Sequence, residues 1–230
     1  MSGKRGQITA FIIVGLVLLF SIIILSVMKD ESMMFPGTPV QPELEPLAEY
    51  TIQCVEEVGE SAIRLLGMGG GYLETPNEIA INPLEYVSIG PIKLPLWYYE
   101  GESRIPTKEG LETQISSYVV ERINNCLNDY EDFQAQYDMD LVGEISAETL
   151  VTSESVDVTL TYPLKVVTKV EFKEMDLPPI RARIPIRLGK VFELAAAINE
   201  YENTEFFLEK LTNDWISTSG FQIRRVRPHL

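Results

Sequence analysis

Residues 8–28 constrain this chain more than any other stretch. They read ITAFIIVGLVLLFSIIILSVM, without a charge and with only Thr9, Ser21 and Ser26 as mildly polar members. About 20 residues rising about 1.5 Å each cross a bilayer core of about 30 Å as a helix. A helix is also the form in which every backbone group is satisfied within the segment. A buried helix of a globular core keeps a polar stripe, and this run has none. The expectation is a single N-terminal transmembrane helix, embedded in membrane lipid.

The flanks set its direction. Lys4 and Arg5 precede the run, and a basic N-terminus of this kind stays on the cytoplasmic side. The expected topology is therefore a single pass through the cell membrane, with the N-terminus inside and the head outside. A cleaved secretory signal fits less well. The apolar stretch is too long, and Leu25-Ser26-Val27-Met28-Lys29 closes it without an A-x-A-like site. A retained anchor is expected.

Lys4-Arg5-Gly6-Gln7 running straight into an apolar helix resembles the class III signal peptide of archaeal type IV pilin-like proteins. In that family a prepilin-type peptidase cuts before the apolar helix, which stays as the assembly and anchoring element. The resemblance implies processing between Gly6 and Gln7 and self-association, or association with other pilin-like subunits, through residues 8–28. Thr9 matches the small polar residue two positions on. Phe11 departs from the pattern, standing where the family commonly carries an acidic residue that helps register subunits. The resemblance covers about 25 residues. The start is also similar to that of archaeal membrane-anchored surface proteins that pair it with a Cys-bearing helix and a Gly-rich turn.

Composition bounds the remainder. The formal net charge is −15, and setting Lys4 and Arg5 aside from the 19 basic residues leaves 17 against 34 acidic ones, or −17. Such a surface is soluble and repels nucleic acid, so no nucleic-acid partner is expected. The expected layout is a basic leader over 1–7, the apolar helix over 8–28, a spacer over 29–46 and an extracytoplasmic domain over 47–230. Pro36, Pro39, Pro42 and Pro46 favour extended geometry in the spacer.

The domain reads as α+β, a mixed or antiparallel sheet packed with about three helices. Leu47, Tyr50, Cys54, Val58, Ala62 and Leu65 recur at helical spacing over 47–66. The cluster Gly67-Met68-Gly69-Gly70-Gly71 then ends that helix; a phosphate loop would instead follow a strand and open a helix. Short or edge strands interrupted by Pro83, Pro91 and Pro95 are expected over 78–100. There Trp97-Tyr98-Tyr99 is either a binding platform or, as strand-ending aromatics more often are, core and rim. Thr107 is a plausible N-cap for a second helix with the stripe Leu111, Ile115, Tyr118, Val119, Arg122, Cys126 and Tyr130.

Cys54 and Cys126 are the two cysteines, each on a core-facing stripe and each outside the cytoplasm on the expected topology. They suit a disulfide joining the two helices; the alternative is a pair of buried thiols. Val156, Val158, Leu160 and Tyr162 alternate with Ser155, Asp157, Thr159 and Thr161, a half-buried strand, with 166–172 expected as its partner after a turn at Pro163. Ile180, Ala182, Ile184 and Ile186 alternate with Arg181, Arg183, Pro185 and Arg187. The three arginines, with Lys190, are expected as a basic patch on one face. They either pair with carboxylates across the sheet or dock an acidic partner or neighbouring subunit. A third helix is expected over 188–211 with Val191, Leu194, Ala195, Ile198, Tyr201 and Phe206 toward the core, followed by a final strand through Phe221, Ile223 and Val226.

Catalytic chemistry finds no foothold. The one histidine, His229, stands next to the last residue, which removes most His-based triads and metal sites. No G-x-S-x-G, H-E-x-x-H or EF-hand pattern occurs. No catalytic residue, metal or cofactor is expected. The function expected is that of a type IV pilin-like subunit. A permanently anchored binding or envelope protein is the second reading, and an enzyme of unrecognised type the third.

Overall fold

A computed structural model of the protein describes residues 40–219. Gly6, Gln7, the expected apolar helix over 8–28, the expected final strand and His229 lie outside those residues. Among the described residues no helix is long and apolar enough to cross a membrane. They form an α+β fold of antiparallel sheets and five α-helices, three of them long.

A 3-10 turn, Pro42–Leu44, leads into α1, Glu45–Met68. Pro46 sits in the first turn, where no backbone N–H is missed. Leu44, placed by its sequence in the spacer, is fully buried, so packing begins ahead of the expected boundary. The buried face of α1 includes Leu47, Cys54, Val55, Val58, Ala62, Ile63 and Leu66. Leu65, expected on that face, is 42% exposed and Leu66 takes its place. Gly59 also faces inward: a Cβ there would lie 2.4 Å from Ile184 Cδ1, so its hydrogen lets the helix approach the sheet.

The glycine cluster does end α1. Gly71 N–H donates to Leu66 O at 2.8 Å, and Gly70 and Gly71 take positive φ of 65° and 91°. A single-turn helix α2, Asn77–Ala80, precedes two small hairpins: β1 (Tyr86–Ile89) with β2 (Ile92–Pro95), and β3 (Tyr98–Tyr99) with β4 (Glu102–Ser103). The prolines keep these strands short and two-stranded, as expected.

Helix α3, Lys108–Leu127, starts at Thr107, whose Oγ1 accepts from Gly110 N–H at 3.0 Å. Its buried stripe is Leu111, Ile115, Val119, Ile123 and Leu127. Of the expected stripe, Arg122 is exposed and Cys126 only half-buried. Tyr130 reaches the core from beyond the helix, after Asn128, Asp129 and Tyr130 all adopt left-handed φ near 50° within the 3-10 stretch Asn128–Phe133.

Two three-stranded sheets follow: β10 (Ile180–Ile184), β7 (Val156–Thr161) and β6 (Ser146–Val151) form one, and β5 (Tyr137–Leu141), β8 (Leu164–Thr168) and β9 (Glu174–Asp176) the other. α1 lies against β10, α3 against β6, and the helices against each other. One face of the first sheet is thus covered while the other stays polar, the usual condition of an antiparallel sheet. The expected pairing of 156–162 with 166–172 does not form. Leu164 N–H donates to Tyr162 O at 2.7 Å, a turn over Pro163 that is too tight to return along the same ladder. β8 therefore joins the second sheet. The third expected helix is also two: α4, Leu188–Glu205, and α5, Phe207–Ser219, broken at Phe206 with φ 50°.

Candidate interaction surfaces

A covalent staple fixes the two helices that carry one surface. Cys54 and Cys126 are joined by a disulfide with Cα atoms 5.6 Å apart. Beside it an open groove of about 400 Å³ runs between α1 and α3, lined by Glu57, Ser61, Tyr118, Arg122 and Asn125 among others. Arg122 lies over the Tyr118 ring at 5.7 Å. The groove is shallow and mixed in polarity, with Val58 and Cys126 of the staple also lining it.

Tyr130 forms the base of the same helix pair. Thr51 Oγ1 donates to Leu47 O at 2.7 Å, so the 2.9 Å contact between the Thr51 and Tyr130 hydroxyls takes its proton from Tyr130. Burial pushes the Tyr130 hydroxyl well above the usual phenol range. Tyr50, Phe133 and Tyr162 each meet it edge-on, and Tyr50 and Phe133 lie tilted against one another. This cluster is structural.

The four expected patch residues are divided by the fold. Arg183 stands opposite Asp157 on β7 and clasps it with two bonds, Nε to Oδ1 at 2.9 Å and Nη2 to Oδ2 at 3.0 Å. Asp157 is almost fully buried, and its carboxyl is held below the usual range, first by this guanidinium. Arg181 faces Thr159 and adds its charge to the same carboxylate. Arg187 and Lys190 instead share Glu154 on the β6–β7 turn, Arg187 Nε at 3.1 Å. The Lys190 hydrogen bond is the main cause of the lowered Glu154 carboxyl. Pairing across the sheet thus accounts for Arg183, whereas Arg187 and Lys190 put two cations on one carboxylate at the start of α4. Asp157 and Glu154 escaped the sequence reading, although Asp157 alternates along its strand in the register that faces Arg183.

Trp97 turns out to be a bracket. Its indole N–H donates to Gly70 O at 2.8 Å, and its ring meets Phe192 of α4 edge-on at 6.2 Å. Tyr99 lies beneath Arg104, which pairs with Glu85. Tyr98 is exposed, so the three aromatics offer no common platform.

The largest departure from expectation is α4. Its first turn is docked: Leu188 and Gly189 are buried, and a Cβ at Gly189 would come within 2.4 Å of Thr152 O. Beyond that, the residues expected in the core face outward. Val191 is 64%, Leu194 61%, Ile198 39%, Tyr201 61% and Phe206 63% exposed. An amphipathic period marks the apolar stripe but is silent on what covers it.

Among the described residues no group of three or more His, Cys, Asp or Glu side chains is placed to hold a metal ion. No family model, no curated protein and no solved structure matches the chain.

Proposed function

We propose that the protein is a pilin-like cell-surface subunit, stored in the membrane by residues 8–28 and processed by a prepilin-type peptidase. The same apolar helix then assembles a filament or complex, and the acidic head stays outside. The observation that carries this reading is Lys4-Arg5-Gly6-Gln7 set directly against an uncharged run of membrane length. The Cys54–Cys126 bond supports it, since disulfides persist outside the cytoplasm. Removal of the leader has a physical purpose in this scheme. Lys4 and Arg5 tether the helix end at the cytoplasmic interface, and drawing two charges into an apolar bundle is costly.

A permanently anchored, non-catalytic binding or envelope protein is the second reading, favoured by Phe11 in place of an acidic residue and by the proline-rich segment before α1. N-terminal mass spectrometry of the native protein separates the two. A chain beginning at Gln7 is expected, and Gly6→Leu should abolish processing. A native chain that keeps Lys4 and Arg5 would replace the pilin-like reading with the fixed anchor.

A further inference from the structure

The exposed face of α4 carries a pattern that names its own partner. Val191, Leu194, Ile198 and Tyr201 are spaced three, four and three apart, the interval of a two-helix seam. Ala195 and Ala197 flank the seam and allow close approach. The side turned to the body is the opposite one, through Gly189 and Phe192. One charged residue stands at each end of the seam, Arg187 at the N-cap four residues before Val191 and Glu205 as the last helical residue four after Tyr201. The intervals therefore read four, three, four, three, four in either direction, symmetric about the level of Ala196.

We propose that α4 is a self-association helix, on which a second copy of this chain packs antiparallel about a two-fold axis at the level of Ala196. In that arrangement Leu194 meets Ile198 of the other copy, Val191 meets Tyr201, and Arg187 meets Glu205, each contact occurring twice as an isologous interface requires. The charges choose the direction. A parallel pair would set arginine on arginine and glutamate on glutamate at the seam ends. Antiparallel pairing puts the basic end of one helix on the acidic end of the other, and it also aligns the helix dipoles favourably.

The local charges have room for this contact. Arg187 and Lys190 share the single carboxylate of Glu154, with Glu193 one turn further on. At the other end Glu200, Glu202, Glu205 and Glu209 outnumber Lys210, whose 3.2 Å pair with Glu205 is solvent-exposed on both sides. Such exposed pairs exchange readily for a better-shielded partner. An anionic lipid surface is a poor fit to a helix so acidic along its second half. The inference does not rest on the pilin-like reading, because it concerns only the head.

The test is cross-linking of the full-length chain in detergent, with the native disulfide verified. Leu194→Cys and Ile198→Cys are prepared singly, and each is oxidised alone and as an equal mixture. The antiparallel seam predicts a disulfide-linked dimer from the mixture, mapped to 194–198, and little from either variant alone. Arg187→Glu should reduce the yield several-fold, and adding Glu205→Arg in the same chain should restore it. Equal dimer from the single variants would mean a parallel or unspecific contact and overturn the proposal. No dimer from the mixture, with folding intact by circular dichroism, would likewise overturn it.

Discussion

The Arg183–Asp157 clasp joins residues 26 apart in sequence and directly opposite in register. Because the folded carboxyl is depressed, its stabilisation is present above the ordinary carboxylate value of about 3.9 and is lost as pH falls through the lower folded value. Asp157→Asn should therefore destabilise by about 1–2 kcal/mol at neutral pH, with the difference from wild type narrowing in acid. Urea unfolding of both proteins along a pH series reads this directly; a constant difference would show that charge is not the cause. Thr51 and Tyr130 give an asymmetric pair. Thr51→Val leaves the buried Tyr130 hydroxyl without its acceptor and should cost about 1–3 kcal/mol. Tyr130→Phe leaves Thr51 still bonded to Leu47 O and should cost less, an order that thermal unfolding of the two variants checks. The alternation along 155–162 made the strand legible. The burial of Asp157 was not legible, because on a half-buried strand its position reads as solvent-facing until the opposing arginine is known.

Elements were legible where local chemistry decides them. Thr107 caps α3, the glycines end α1 and the prolines shorten β1 to β4, since each effect acts within a few residues. The rest depended on distant partners. The inward stripe of α3 continues through Ile123 and Leu127, and both α1 and β6 pack on this helix. The turn over Pro163 sends β8 to β5, a pairing that sequence adjacency hides. Neither a glycine nor a proline marks the break at Phe206, so the residues over 188–211 read as one helix. The pairing of α1 with α3 was within reach because both cysteines fell on apolar stripes. Their bond closes a separation of 72 residues, and on the chain-entropy model it contributes about 4 kcal/mol. Replacing both cysteines with alanine should lower the unfolding free energy by about that amount in urea titration. A loss below about 1 kcal/mol would assign the helix pairing to the surrounding core alone.

At the scale of the molecule, the acidic surface and the outward seam of α4 pull in opposite directions. A net charge of −15 disfavours association in dilute solution, whereas anchoring two copies in one membrane would raise their effective concentration at the seam. The surface that the sequence assigned to the core is thus the one turned outward, an inversion that periodicity alone does not disclose. The way the chain enters the head has a mechanical consequence. Glu43 is held at the threshold by Tyr137, which donates to its carbonyl at 2.7 Å, and by Lys173 at 2.8 Å. Just beyond lies α1, with Cys54 bonded to Cys126. Tension applied ahead of Glu43 reaches Cys54 within the first half of α1 and then crosses the covalent bond to α3, bypassing the chain between them. Those 72 residues would otherwise yield about 250 Å of slack at about 3.5 Å each. Under a load that enters at Glu43, the stretch between the two cysteines therefore adds nothing to the domain's extension until the disulfide is reduced.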